Sequence, residues 1–521
     1  MQGVLDARKV SDKMKQARLR RGCGILLPLF SLPSPYGIGT LGEDAYHFVD
    51  FLADSGQSYW QMLPLHPVGD GNSPYQSPSA FAGNRHFLDP GVLCAEGVID
   101  RGAERAAQVP FDRKIAYTDI ERRAAIVHQA IKQTHLSHDR DYAAFCEEHA
   151  FWLDEYALYE VAKAHSHGWA WYDWREEALR NHDPAAIREL IEGAWEEIEE
   201  YRKEQYFFFR QWRRLREYAH RRGIALIGDL PIYVAYDSAD VWANRESFDL
   251  DAAGYPNHVA GVPPDAFSAT GQRWGNPLYN WWHMERDNFA WWNRRICLAR
   301  QLYDVVRIDH FIGIAQYYAI PGHAEDALTG KWLPGPSSAL LTSFQENGQT
   351  LPFIAEDLGR VTPAVRELMQ AFGYPGMRVL AFAFDSGPAN EHLPCHYHPN
   401  TVVYGATHDN DTLYGTFESA SKSRRDFARA YLATENDHPA TLTAAAIRAA
   451  MASVADVAVF TMQDYLRFDS QWRINRPGEK EGNWDIRIPA HCFSRELSEE
   501  MLRLARLYHR FGEETATFGI S

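Results

Sequence analysis

The run VVRIDHFIG, residues 305–313, begins as an apolar strand and then presents an arginine, an aspartate and a histidine. Burying an unpartnered neutral polar group costs roughly 2–7 kcal/mol, and a charge costs more, so these side chains need a compensating task. Side chains two apart on a strand share a face, which puts Arg307 beside Asp309 and lets the guanidinium hold the carboxyl ionised. Taken alone, the pair reads more simply as two buried charges satisfying each other, because buried ion pairs are poor evidence of function.

The placement recurs. Asp229 follows IALIG, Glu356 follows PFIA, and His408 and Asp409 follow VVYGAT. The apolar approach to Glu356 predicts a raised pKa and a proton kept near neutrality. A single Glu at such a point is more simply a helix N-terminal acid; recurrence at four strand ends is what weakens that reading. Two carboxyls in opposed environments, one a charged nucleophile and one a proton donor, are what retaining glycosyl transfer requires. A third, Asp409, can stabilise positive charge or grip ring hydroxyls. His and Asp together also suit a metal. The chain has neither an H-E-x-x-H helix nor a carboxylate-rich calcium loop, so metal catalysis is not expected.

Eight short apolar runs must position these residues: 24–30, 58–65, 224–232, 304–309, 352–358, 376–384, 401–409 and 456–465. Helical patterns lie between most of them, as in TPAVRELMQAFG, where Thr362 can cap the start and Gly373 the end. Buried strands alternating with helices predict a parallel (β/α)8 barrel more than a doubly wound open sheet. In a parallel barrel, polar residues at the C-terminal strand ends meet at one rim. The interval 66–223 is too long for one crossover and carries amphipathic patterns, predicting an inserted, mostly helical subdomain between the second and third strands. The Gly-, Pro- and aromatic-rich interval 233–303 predicts a loop-rich insertion between the third and fourth. Both belong to one catalytic barrel over residues 1–521.

Composition narrows the partners. With 45% hydrophobic and 23% charged residues, and no run near the roughly 20 apolar residues of a membrane span, the chain is expected to be soluble and cytoplasmic. The basic start is followed only by GILLPLF, without the core or cleavage site of a secretion signal. Six scattered cysteines lack C-x-x-C spacing and read as free thiols. A net charge of −16 is the wrong sign for a nucleic-acid binder and favours a neutral or cationic ligand. Aromatic stretches such as GQRWGNPLYNWW offer flat rings suited to the apolar faces of sugars.

Read together, the motifs GILLPLFSLPSPYGIGTLG, SPYQSPSAFAGN, GDLPIYVAYDSADVW, GVPPDAFSATGQRWGNPLY, VRIDHF, AEDLG, GMRVLAFAF, THDNDT and INRPG resemble the 4-α-glucanotransferases of glycoside hydrolase family 77 over nearly the whole chain. The resemblance implies a (β/α)8 barrel with inserted subdomains and no separate C-terminal β domain. It implies action on maltooligosaccharides or other α-1,4-glucans, with no metal, organic cofactor, membrane, nucleic acid or obligatory protein partner. By motif match, Asp309 would be the nucleophile, Glu356 the acid and then the base, and Asp409 the transition-state stabiliser. Arg307 would orient the nucleophile, and His408 and Asp229 would bind hydroxyls of the attacked sugar. Tyr75 would stack on that sugar and Trp274 would form an acceptor-side platform; loop packing is the plainer task for either ring.

Three departures from the family pattern stand out: Ile312 where Arg is usual after RIDHF, Ala406 where Gly precedes THDND, and Ile486 where an aromatic is common. They bear on acceptor preference and loop packing. The stretch 261–277, with Phe267 and Trp274, is expected to form a lid that shields the site from water and seats the acceptor. A plain α-glucan hydrolase shares every carboxylate, and a non-catalytic glucan-binding protein is the alternative outside enzymes.

Overall fold

A computed structural model describes residues 16–264, 268–346, 351–479 and 481–511. Phe267 lies outside the described residues. Among those described the strands are β1 (Gly22–Leu26), β2 (Tyr59–Gln61), β3 (Ala225–Leu230), β4 (His258–Val262), β5 (Gln272–Pro277), β6 (Val305–Ile308), β7 (Gln316–Pro321), β8 (Lys331–Pro334), β9 (Phe353–Ala355), β10 (Gly376–Val379), β11 (Thr401–Tyr404) and β12 (Val457–Thr461).

Eight of them form a parallel sheet in the order β10-β11-β12-β1-β2-β3-β6-β9. These are the eight runs expected from the sequence. Their residues are almost all buried, as a barrel covered by helices outside and filled by side chains inside requires. The two ends of the sheet meet where Ala355 N–H donates to the Pro375 carbonyl at 2.9 Å. Asp357 fastens the same seam, since its Oδ1 accepts from Met377 N–H at 2.6 Å. Gly376 is required there, because a Cβ would fall 2.6 Å from Asp357 Oδ2. The ring is thus a (β/α)8 barrel, not an open sheet.

Local chemistry accounts for the helices around it. Pro363–Phe372 has Pro at its first position and ends on Gly373 in the left-handed region at φ 73°. Thr362 precedes it without making a side-chain cap bond. Asp183 caps Pro184–Arg221, accepting from Ala185 N–H at 2.8 Å. That helix, with Arg140–His165 and Tyr117–Lys132, dominates the chain between β2 and β3, where the described residues hold no strand. After β12 they form the helices Met462–Leu466 and Arg495–Leu507 and no β domain. No described helix is long and apolar enough to cross a membrane.

Beyond β3 the chain is less irregular than its composition suggests. Strands β4 and β5 join β7 and β8 in an antiparallel sheet of order β5-β4-β7-β8. It draws on residues on both sides of β6, and β5 carries Trp274. Its short, partly exposed strands lack the apolar alternation that marks a strand in sequence.

Candidate active site

The C-terminal ends of the barrel strands open into a cleft of about 770 Å³. Tyr75, Trp274, Arg307, Asp309, Glu356 and Asp409 all line it. Register does part of the work, because Asp229 on β3 faces Arg307 on β6. Arg307 Nη1 donates to Asp229 Oδ1 at 2.7 Å and Oδ2 at 2.8 Å, and lies 2.9 Å from Asp309 Oδ1.

Asp229 and His408 stand one layer behind the cleft wall. The Asp229 side chain has no exposed surface, and both its oxygens are engaged. Besides Arg307 it accepts from Tyr75 Oη at 2.7 Å, and Tyr75 Oη also meets His408 Nε2 at 2.8 Å. The Tyr75 and His408 rings stack with centroids 5.3 Å apart and planes at 14°. Asp229 and His408 hold Tyr75 and Arg307, which line the cleft.

Asp409 meets His408 Nε2 through Oδ2 at 3.2 Å and accepts from Asn475 Nδ2 through Oδ1 at 2.7 Å. Glu356 accepts from His310 N–H through Oε2 at 2.8 Å and from Leu358 N–H through Oε1 at 2.7 Å. Trp274 packs edge-on against His310, with centroids 5.0 Å apart.

The three carboxyls are electrostatically distinct. Burial pushes Glu356 up to about 7, opposed by Arg307 and its two backbone donors and reinforced by Asp309. Burial also pushes Asp309 up to about 6, against Arg307. The sequence reading expected Arg307 to lower Asp309; the guanidinium is divided between two carboxylates, and desolvation outweighs its share. Burial acts on Asp409 in the same direction, yet His408 and Asn475 hold it far below the usual carboxylate range.

Three contributors were given no role by the sequence reading. Asn475 lies in INRPG, a motif used only for resemblance. Trp484 sits 5.8 Å from Tyr75 and 6.1 Å from His408 by ring centroids. His310 neighbours the nucleophile candidate, and its rank as a wall residue had no signal beyond its place in VRIDHF.

A proton-bearing carboxyl beside an ionised one at the C-terminal rim of a barrel is the equipment of an acid–base enzyme. A family model described as 4-alpha-glucanotransferase matches residues 27–492. A 4-alpha-glucanotransferase from Thermus thermophilus is 43% identical over 502 residues, covering 94% of this chain and 99% of that one. Another, from Synechocystis, is 41% identical over 507 residues, covering 94% and 98%. The structure of an amylomaltase from Streptococcus agalactiae in complex with acarbose superposes with a TM-score of 0.91 at 34% identity, covering 95% of this chain and all of that one. The chain belongs to the 4-alpha-glucanotransferase family, glycoside hydrolase family 77, and is an enzyme of that class.

Proposed function

We propose that the protein cuts an α-1,4-glucan and passes the donor segment to the 4-hydroxyl of another glucan or of glucose, keeping the α configuration. Asp309 attacks the anomeric carbon while protonated Glu356 gives its proton to the departing oxygen. The glucosyl group is then held on Asp309, and ionised Glu356 takes the proton of the incoming hydroxyl as that oxygen displaces Asp309. Asp409 offsets the positive charge that develops on the sugar ring. Arg307 orients Asp309, Tyr75 stacks on the attacked sugar, and Asp229 and His408, which also hold Arg307 and Tyr75, bind hydroxyls of that sugar. Trp274 is the platform for the second sugar.

The observation that carries this reading is the pair Asp309 and Glu356. Strands β6 and β9 are paired neighbours, and Glu356 keeps the higher pKa of the two. Of this coupled pair, Glu356 is the carboxyl that keeps its proton to the higher pH. The stretch 261–277 is the proposed lid that lets a sugar outcompete water. No metal or cofactor enters the scheme, and the proposed setting is the cytoplasm, with maltooligosaccharides or longer glucans as the only partners.

Incubation with maltotriose tests the proposal. A transferase yields glucose and a ladder of chains longer than maltotriose. Products no longer than the substrate would replace it with hydrolysis, and no product at all would leave a binding protein.

A further inference from the structure

We propose that the helical insertion carries a second glucan site, separate from the cleft, in which Trp169 is the platform for a sugar ring and Arg175, Glu176 and Glu189 grip its hydroxyls. The inference rests on the reading above only for the kind of ligand, an α-1,4-glucan chain.

The site is a pocket of about 460 Å³ that shares no lining residue with the cleft. Such a volume falls within the roughly 300–1,000 Å³ of small-molecule sites. The pocket opens between the end of the helix Arg140–His165 and the N-terminal part of the helix Pro184–Arg221. His167 and Gly168 both take the left-handed region, at φ 57° and 78°, and the turn they make delivers Trp169 to the pocket. The backbone there is anchored, since the Trp169 carbonyl accepts from Nε1 of the buried Trp174 at 2.9 Å. The side chain is not buried with it: Trp169 remains 43% exposed. An anchored turn that holds a large flat ring out to solvent is the layout of a stacking platform.

The helix Pro184–Arg221 supplies another wall. It departs from helical geometry at Ala194, with φ −131° and ψ 26°, and Gly193 precedes that kink. Glycine inside a helix is destabilising relative to alanine. No packing demands it here, because a Cβ on Gly193 would meet nothing within 4 Å. What the glycine gives is bare backbone on the pocket wall, where a ligand can come close.

The polar groups select the ligand. Arg175, Glu176 and Glu189 line the same pocket, yet none of their side chains makes a hydrogen bond or ion pair with a described residue. The Arg175 guanidinium lies instead over the Trp169 ring, 5.0 Å from a ring centroid. Donors and acceptors beside a flat apolar face suit a ring that is apolar on its faces and rimmed by hydroxyls; the mixed charge suits neither an anion nor a cation. A chain held at one site is presented to the other at a raised effective concentration. Long glucans therefore gain an advantage that maltotriose, held by one site at a time, does not share.

The test pairs Trp169→Ala with Gly193→Leu, which fills the pocket without removing a polar group and decides the matter if the alanine variant does not fold. Neither residue lines the cleft. In an Asp309→Asn background, which spares the glucan from turnover, native gels containing amylose should show a dissociation constant raised roughly fivefold by either substitution, with dextran gels as the control for sieving. In the otherwise unsubstituted enzyme, KM for amylose should rise by roughly the same factor, while kcat and KM on maltotriose stay in place. Unchanged amylose binding and unchanged KM in both variants would overturn the inference. So would an equal loss on amylose and on maltotriose, which would trace the effect to the cleft. The reading of the cleft fails separately: if the unsubstituted enzyme makes no chain longer than maltotriose, transfer is wrong, and the amylose gels still judge the pocket.

Discussion

Arg307 and Asp229 are partners twice over: their Cα positions face each other across β3 and β6, and one guanidinium nitrogen donates to both carboxylate oxygens, at 2.7 and 2.8 Å. Asp309 shares that nitrogen at 2.9 Å. Arg307→Met should therefore leave the buried Asp229 and the cleft-wall Asp309 without their shared cation. Removing one partner of a buried ion pair costs about 3–5 kcal/mol, and urea melts should register a loss of that order. The acid limb of the pH profile should move to higher pH, since Asp309 loses the cation that opposes its burial. An unmoved limb would mean that Arg307 serves the fold alone.

Asp309→Asn, Glu356→Gln and Asp409→Asn should each leave a cooperatively folded protein while cutting turnover by roughly 10²-fold or more, with the loss near total for Asp309. In a sugar-bound crystal structure the carboxyls of Asp309 and Glu356 should stand about 5–5.5 Å apart, the retaining distance. A gap wide enough for an intervening water would favour direct displacement instead.

The pH profile of kcat/KM should be a narrow bell. Activity rises as Asp309 ionises near 6 and falls as Glu356 loses its proton near 7, the two limbs belonging to the coupled pair. Stability has its own sign. Burial lifts Glu356 above its ordinary 4.5, so between about pH 4.5 and 7 the folded protein binds more protons than the unfolded chain. Stability is therefore lost as pH rises through that window. Glu356→Gln should remove the alkaline limb and, above pH 7, stabilise the fold by on the order of 1–3 kcal/mol. Thermal melts at pH 5 and pH 8 check this, and an equal effect at both would contradict it.

Asn475→Ala should weaken the enzyme without unfolding it. Asp409 keeps His408 but loses the amide on Oδ1, so its carboxylate is free to turn. A fall of roughly 10- to 100-fold in kcat, with little change in KM, is expected, because stabilisation of developing charge is felt mainly in the transition state. A rise in KM alone would place Asn475 in ground-state binding.

The barrel and its acidic rim were legible because buried parallel strands are written as unbroken apolar runs, and a charge ending such a run stands out. What lay in contacts between distant segments was not legible. Nothing in INRPG says that Asn475 will meet Asp409, sixty-six residues earlier. Nothing in IALIGD says that both oxygens of Asp229 will be taken by Arg307 and Tyr75. Thr362 shows the converse: a good capping type in the right place makes no cap bond. The small antiparallel sheet was hidden because its strands are short and punctuated by Gly and Pro, as in QRWGNP.

Asp357, which fastens β9 to β10 through Met377 N–H, is next in the chain to Glu356. The clasp of the ring and the proposed proton donor are consecutive links. In the proposed reaction, any loosening at the clasp would tilt their shared peptide and carry Glu356 away from the leaving oxygen, while Asp309 and Asp409 stay at the ends of β6 and β11. Warming should then silence the enzyme before its helices melt, with proton delivery, not sugar capture, as the step that fails first.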